Sequence, residues 1–121
     1  PQTARPAHCV SSPEFKILST MLADQGFGEW GFAALVEVDG RRILFDTGAN
    51  EDTVQRNLQA LGLDLSNVDL VILSHNHTDH TTGLIPLRRQ LMAKSPRALS
   101  KAYVGQGIFW PRIAADGAVD D

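Results

Sequence analysis

The alternation of apolar and polar positions predicts that the chain begins with strands. In FKILST (15–20) apolar and polar residues alternate, which is typical of a strand with one buried face. FAALVEV (32–38) is mostly apolar and RRILF (41–45) follows it, so both are predicted strands. Asp39 and Gly40 between them form a dipeptide that favours a two-residue hairpin turn. We therefore expect an antiparallel hairpin here.

A helical period follows the hairpin. Val54, Leu58 and Leu61 recur at the spacing of one helix face. Asn50 is a suitable N-cap, because its side-chain oxygen can accept a hydrogen bond from a free backbone N–H of the first turn. Gly62 is a suitable end, because glycine readily adopts the left-handed conformation that closes many helices.

Beyond this helix the pattern predicts a strand, a helix and a strand. VDLVIL (68–73) is a short apolar run and indicates a buried strand. Leu84, Leu87 and Leu91 share one face of a second predicted helix. KAYVG (101–105) is one more predicted strand. This order of elements, with a hairpin at the front, is typical of the α/β class.

The composition fits one modest domain. The chain has 121 residues, of which 43% are hydrophobic and 21% charged, so it can build a core. We expect the domain to span 14–105, after an irregular lead-in at 1–13. Residues 106–121 show no period, and we interpret them as an irregular, truncated tail in which Trp110 is a packing residue.

Charge and cysteine content exclude several classes of protein. The net charge of −3 provides no basic field for nucleic acid, so we expect a small-molecule substrate. No apolar run approaches the roughly 20 residues that span a bilayer. The single cysteine, Cys9, excludes an internal disulfide framework. PQTARPA (1–7) is compatible with a removed leader, so the cytoplasm and the periplasm both stay open.

The stretch LSHNHTDHTTG (73–83) concentrates candidate metal ligands. In an extended segment His75 and His77 lie on one side of the backbone, roughly 6–7 Å apart, so both imidazoles can reach one ion. Asp79 and His80 come at the following turn and point to a slightly different position. The spacing therefore favours two adjacent ions, one on each pair of side chains.

The types of ligand indicate the metal and its chemistry. Imidazole and carboxylate suit zinc, and also iron or manganese, and the cluster contains no thiolate that would favour a structural cysteine site. Few protein ligands leave positions open for water, whose pKa a bound metal lowers towards ~7. Hydroxide is then present at neutral pH, as a hydrolase requires.

Asp46 also follows a predicted strand, in LFDTG, and the residues alone support two interpretations equally. Asp46 can accept the ring N–H that a metal-ligating histidine does not use for the metal, and so orient that ligand. It can instead cap a helix or close an Asx turn.

Two stretches of the chain, GFAALVEVDGRRILFDTG (31–48) and VDLVILSHNHTDHTTGL (68–84), together resemble the metallo-β-lactamase superfamily. The family's H-x-H-x-D-H signature corresponds to His75, His77, Asp79 and His80. Within the superfamily, the first stretch is most similar to the dihydropterin-type ribofuranosylaminobenzene phosphate synthases and related metal-dependent hydrolases.

The resemblance implies a fold and a set of roles. It implies the first half of an αβ/βα four-layer sandwich, with a mixed sheet, an N-terminal hairpin and flanking helices. It implies that the four signature residues bind two metal ions, typically zinc. It also implies that Asp46 supports the metal site by orienting a ligand and does not bind a metal itself. Asp79 is implied both to ligate a metal and to orient the nucleophile or shuttle its proton.

The chain departs from the family pattern in two ways. Thr82 stands where the family usually has glycine, which removes no ligand. The family's domain is longer and supplies further ligands after the signature, whereas His80 is the last histidine here. We assign no ligand role to the remaining candidates, which are His8, Asp116, Asp120 and Asp121. We expect an open apolar sheet face that a missing C-terminal half, a second chain or a homo-oligomer covers.

Three functions are compatible with these residues. The leading hypothesis is a metal-dependent hydrolase in which zinc-activated hydroxide attacks an ester, lactone, amide or phosphoester. The second is an incomplete, non-catalytic metal-binding half-domain that acts through association. The third is a di-iron redox member of the same superfamily. Because four ligands are fewer than the family's site uses, the isolated chain is expected to need further residues for turnover.

Overall fold

The computed structural model describes residues 12–120. His8, Cys9 and Asp121, and with them most of the expected lead-in, lie outside the described residues. The described elements, in chain order, are β1 (Pro13–Ser19), β2 (Ala33–Val38), β3 (Arg41–Phe45), α1 (Thr53–Leu61), β4 (Leu70–Leu73), α2 (Thr78–Thr81), α3 (Leu84–Met92), β5 (Lys101–Val104), β6 (Arg112–Ile113) and β7 (Val119–Asp120). In this part of the chain no helix has the length and apolar character that a bilayer crossing requires.

The main sheet has five strands in the order β1-β2-β3-β4-β5. The first three strands are antiparallel neighbours, whereas β4 runs parallel to β3 and β5 runs parallel to β4. Parallel neighbours need crossover connections, and here α1 connects β3 to β4 while α2 and α3 connect β4 to β5. The predicted α/β class with a mixed sheet is confirmed.

The hairpin between β2 and β3 has the geometry that its turn residues predict. Asp39 and Gly40 both have positive φ, at 48° and 78°. Positive φ at both central positions is the mark of a type I′ turn, whose twist matches that of the flanking strands. The turn pairs Val38 with Arg41 and so sets the register of the hairpin.

The core lies between the sheet and its helices. Along β1 to β4, alternate side chains point to this side and join the core with α1 and α3, whereas all four residues of β5 are exposed. The buried cluster comprises Leu18, Ala33, Leu35, Leu44, Val54, Leu58, Leu65, Val68, Val71, Leu73, Leu87 and Leu99. Burial of this apolar area provides the main favourable term in folding and holds the strand ends in fixed positions.

The opposite face of the same sheet is also apolar, and it is accessible. The pairing registers align one row across the five strands, which contains Phe15, Val36, Ile43, Leu70 and Lys101; a second row contains Ile17, Ala34, Phe45, Ile72 and Tyr103. Phe15 and Tyr103 are each 64% exposed, and Ile17 is 46% exposed. The expected open face is therefore present in the described residues.

The start of α1 differs from the sequence prediction. The helix begins at Thr53 with Asp52 at the N-cap, and no side chain caps it. Asn50 instead donates from its side chain to Glu29, 2.7 Å away. The prediction that Asn50 caps α1 was wrong because its side chain bonds to Glu29, and a local sequence pattern cannot reveal a partner so distant in sequence. The predicted end is correct, since Gly62 is left-handed with φ of 64°.

Three further differences concern short elements and the C-terminal region. β1 begins at Pro13, two residues before the predicted strand. Within 73–83 the chain forms the short helix α2, which was not predicted. Residues 106–121 were expected to be irregular, but β6 and β7 pair there as a small antiparallel sheet. Trp110 is 69% exposed, so the prediction that it packs against the domain is wrong.

Candidate metal centre

The predicted ligand cluster lies at the carboxyl end of β4, near the centre of the sheet. Val71 and Leu73 anchor this strand in the core, at 1% and 4% exposure. Beyond Leu73 the chain bends at His75 and Asn76, is extended at His77, whose φ and ψ are −108° and 144°, and then turns into α2. In open α/β sheets ligands bind outside the carboxyl ends of the strands, and the cluster occupies such a position.

The ring nitrogens of the first histidine pair converge as expected, although the segment is bent at His75 and Asn76 and not extended as predicted. His75 Nε2 and His77 Nδ1 lie 3.0 Å apart. The two rings meet edge to face, with centroids separated by 4.5 Å. Two ring nitrogens, carried by residues two positions apart, therefore face the same small volume.

The second pair lies on the first turn of α2, beside the first pair. His80 Nε2 is 3.4 Å from Asp79 Oδ2. The ring centroids of His80 and His75 are 4.2 Å apart. The structure thus brings the four predicted ligands into one cluster and divides their donor atoms into two neighbouring pairs.

Asp46 lies behind this cluster and is 1% exposed. Its Oδ2 is 2.7 Å from His80 Nδ1 and accepts the hydroxyl of Ser74 at 2.6 Å. Its Oδ1 accepts the backbone N–H of Ser74 at 2.8 Å. The helix α1 has no side-chain cap, so the capping interpretation of Asp46 fails and its contact with a predicted ligand agrees with the orienting one.

The backbone at Asp46 adopts an uncommon conformation to make these contacts. Its φ is +54°, in the left-handed region that costs a residue with a Cβ but that aspartate tolerates better than most. Its own N–H donates to Ile72 O at 2.9 Å, which continues the pairing of β3 with β4 past the last ladder residue. This turn directs the carboxylate under the end of β4.

Backbone contacts hold the turn that carries the second pair. Thr47 donates to His80 O twice, from its N–H at 2.8 Å and from its hydroxyl at 3.0 Å. Phe32 N–H donates to Asp79 O at 3.2 Å. A Cβ at Gly83 would collide with the Thr47 carbonyl oxygen, so this close approach requires glycine. The loop after β3 and the turn of α2 are therefore packed backbone to backbone.

Thr82, which stands where the family usually has glycine, causes no strain here. Its φ of −59° is ordinary right-handed helix, which any residue with a Cβ adopts. Its hydroxyl donates to Thr78 O at 2.7 Å. The substitution therefore leaves the position of the turn unchanged.

Glu29 is a structural residue of the site that the sequence analysis missed. Its carboxylate accepts hydrogen bonds from the Ser19 hydroxyl at 2.5 Å, Ala49 N–H at 3.0 Å, Asn50 N–H at 3.0 Å and Asn50 Nδ2 at 2.7 Å. Burial acts to raise the pKa of Glu29, but hydrogen bonding lowers it by more, so the pKa lies below its ordinary 4.5. Glu29 thus fastens the loop that carries Asp46 to the end of β1.

A pocket of about 280 Å³ opens beside the first histidine pair. One wall consists of the residues that follow β4, including Ser74, His75 and His77. The other wall comes from the segment after β5 and includes Trp110 and Arg112. The exposed indole of Trp110 therefore borders the candidate site instead of the core.

The donor set fits part of a two-ion site. Two ligand atoms of one tetrahedral zinc lie roughly 3.3 Å apart, given Zn–N distances of about 2.0–2.1 Å, and the two donor pairs lie 3.0 Å and 3.4 Å apart. Among the described residues, no group of three or more His, Cys, Asp and Glu side chains is arranged to hold an ion. Each pair thus offers two protein ligands and needs others to complete a coordination shell.

Comparison with known protein families gives a match over most of the chain. The model of the metallo-beta-lactamase superfamily matches residues 31–117. These residues run from the β2–β3 hairpin through the ligand cluster to the β6–β7 sheet.

Two curated relatives and one solved structure illustrate the similarity. The chain is 34% identical over 74 residues to 7,8-dihydropterin-6-methyl-4-(beta-D-ribofuranosyl)-aminobenzene-5'-phosphate synthase of Methanocaldococcus jannaschii, covering 58% of this chain and 25% of the relative. It is 31% identical over 86 residues to ribonuclease Z of Methanopyrus kandleri, covering 71% and 27%. The crystal structure of the short form of human tRNase Z superposes with a TM-score of 0.54 at 24% identity, over 69% of this chain and 30% of that one, and has the same fold. The chain spans about a quarter of the length of these curated relatives.

Proposed function

This chain belongs to the metallo-beta-lactamase superfamily, and on that basis we propose that it is the metal-binding part of a metal-dependent hydrolase that cleaves a phosphoester. The observation that carries the proposal is the arrangement of the four signature side chains as two adjacent donor pairs, His75 with His77 and Asp79 with His80. The buried carboxylate of Asp46 behind His80 supports it further.

The residues of this chain have distinct roles in the proposed reaction. His75 and His77 would hold one ion, and Asp79 and His80 would hold the other. A divalent metal bound there supplies Lewis acidity and a hydroxide nucleophile at neutral pH. Asp79 is half-buried and faces the cluster, so its free carboxylate oxygen can orient the attacking oxygen and accept its proton. Asp46 holds the His80 ring in one orientation.

The choice of a phosphoester rests on the relatives. One relative is a ribonuclease by name, and another is a synthase of a 5'-phosphate. The pocket beside His75 and His77 contains a guanidinium, that of Arg112, in its wall. A phosphoester carries a negative charge that suits such a wall better than a neutral ester, lactone or amide does.

We further propose that additional polypeptide covers the open sheet face and completes the two coordination shells. The curated relatives are about four times the length of their matched region, so a C-terminal half of the same protein is the occupant that the relatives support. A second chain or a second copy of this chain would appear as an oligomer in light scattering.

Hydrolysis assays test this proposal. The protein is stripped of metal and reloaded with Zn²⁺, Mn²⁺ or Fe²⁺, and turnover is measured on a phosphodiester, a phosphomonoester, a carboxylic ester, a lactone and an amide. With the polypeptide that completes the coordination shells present, we expect metal-dependent phosphodiester cleavage that His77→Ala reduces by at least about 100-fold. The matched control, His8→Ala, changes the fourth histidine of the chain and is expected to retain activity.

A second candidate function is supported by the absence of a three-ligand group among the described residues. In this alternative the chain is a metal-binding half-domain that acts through association and does not catalyse. It predicts no turnover with any metal, together with stable oligomers. Iron-dependent oxygen consumption without hydrolysis would instead support the di-iron redox function.

A further inference from the structure

Ser74 occupies the junction between the two donor pairs. Its hydroxyl oxygen is 2.6 Å from Asp46 Oδ2 and 2.8 Å from His75 Nδ1. Its backbone N–H donates to the other carboxylate oxygen of Asp46 at 2.8 Å. His80 Nδ1 reaches the same Oδ2 at 2.7 Å. A continuous path of hydrogen bonds therefore runs from His75 through Ser74 and Asp46 to His80.

We propose that Ser74 is a positioning residue, whose hydroxyl fixes the tautomer of His75 and couples the first ligand pair to Asp46. This inference rests on the proposed function, because the purpose of the fixed tautomer is to direct ring lone pairs to metal ions. It assigns to Ser74 a role for His75 that matches the role of Asp46 for His80.

The number of protons along the path determines the direction of each hydrogen bond. A carboxylate only accepts, so both Ser74 and His80 donate to Asp46 Oδ2. Ser74 has one hydroxyl proton, which it donates in the hydrogen bond to Asp46. Its oxygen must then accept from His75, which places the ring proton of His75 on Nδ1. The same reasoning places the ring proton of His80 on Nδ1.

The consequence appears on the opposite side of each ring. A neutral imidazole with its proton on Nδ1 has its lone pair on Nε2. His75 Nε2 is the atom that lies 3.0 Å from His77 Nδ1, and His80 Nε2 is the atom that lies 3.4 Å from Asp79 Oδ2. Each lone pair therefore lies on the side of its ring that faces the other member of its donor pair, which is the side that a metal ligand needs.

The two histidines differ in how firmly they are held. His80 contacts the buried carboxylate directly, whereas His75 contacts it only through the Ser74 hydroxyl. Removal of that hydroxyl leaves His75 Nδ1 without its acceptor, whereas His80 Nδ1 keeps Asp46 as its acceptor. The proposal therefore predicts a defect confined to the first pair.

Ring ¹⁵N NMR of the metal-free chain tests this prediction directly. Long-range ¹H–¹⁵N correlations, recorded at about pH 8, distinguish the two neutral tautomers of each histidine. We expect His75 to be the Nδ1–H tautomer in the wild type and in Ser74→Thr, which keeps the hydroxyl. Ser74→Ala should give a mixture at His75 and leave His80 unchanged. An unchanged His75 in Ser74→Ala would overturn the proposal.

Zinc affinity, measured by competition with a chelator, provides the second readout. Loss of a group that orients a metal ligand typically weakens binding by about 10–100-fold, and we expect Ser74→Ala to fall in this range and Ser74→Thr to recover most of the loss. Ser66→Ala is a matched control, since Ser66 donates to Asp64 at 2.8 Å on the exposed surface. If the wild type binds no zinc, the proposed function fails, and the tautomer of His75 still decides the role of Ser74.

Discussion

The two faces of the five-stranded sheet have similar residues and opposite surroundings. On the helix side, Leu35 and Val71 are each 1% exposed beneath α1 and α3. On the other side, the equally apolar Phe15 and Tyr103 are 64% exposed. Soluble proteins rarely expose a contiguous apolar surface of this kind without a partner. The comparison shows that the chain buries the side that positions the ligand cluster and leaves the other side exposed among the described residues.

The largest effect is expected from truncation on the helix side. Leu44 is fully buried, whereas its neighbour Ile43 points to the open face and is half-buried. Leu44→Ala should lower the free energy of unfolding by about 2–5 kcal/mol, because it removes buried methyl groups and leaves a cavity. Ile43→Ala should cost much less in the isolated chain. Urea denaturation measures both, and equal costs would mean that the two faces are equally buried.

Loss of the carboxylate behind the cluster should have the next largest effect. Asp46→Ala leaves the backbone N–H of Ser74 and the ring N–H of His80 without an acceptor, at a cost of roughly 1–3 kcal/mol in the free energy of unfolding. It should also weaken zinc binding by about 10–100-fold. Asp46→Asn keeps the left-handed backbone accessible and one acceptor oxygen, so it should be milder in both assays. Equal zinc affinity in all three proteins would remove Asp46 from the site.

The anchor at Glu29 should give a smaller and pH-dependent effect. Its folded pKa lies below the ordinary 4.5, so its stabilising contribution is complete above that pH and is lost as the pH falls through the folded pKa. Glu29→Gln should therefore cost on the order of 1 kcal/mol at neutral pH and should lose less stability than the wild type on acidification below 4.5. Denaturation midpoints from pH 7 to pH 3 measure the difference, and parallel curves would contradict it.

The smallest effect on stability is expected on the open face itself. Ile17→Ser and Tyr103→Ser change half-exposed positions and should alter the free energy of unfolding by no more than about 0.5 kcal/mol in the isolated chain. They should nevertheless reduce self-association, which static light scattering measures as a function of concentration. Unfolding by either substitution would show that this face is already part of the core.

Local patterns in the sequence predict those features whose causes are local. Asp39 and Gly40 predict their turn because only a few residues accept positive φ at both positions. The i, i+2 spacing of His75 and His77 predicts that their side chains lie close together, and they do, although the segment bends at His75 and Asn76 and is not extended as expected. Gly62 ends α1 because glycine readily adopts the left-handed conformation that closes a helix.

Contacts between residues distant in sequence are not predictable from such patterns. Asn50 has the chemistry of an N-cap, yet Glu29 competes for its side chain from 21 positions away. Ser74 is visible only as the residue before His75, and its role depends on a carboxylate 28 positions earlier. Trp110 has the area of a core residue, but the turn after β5 directs it to the pocket beside the histidines. The contacts of Asp46 with Ser74 and His80 likewise join residues about 30 positions apart, and only the fold reveals them.

The central claim is that the signature residues hold two ions in two pairs, and native mass spectrometry of the zinc-titrated protein tests it most directly. The wild type and His8→Ala should each bind two zinc ions, and His77→Ala should retain one, on Asp79 and His80. If the wild type binds no zinc, or if His77→Ala binds as much zinc as His8→Ala does, the assignment of the pairs is contradicted.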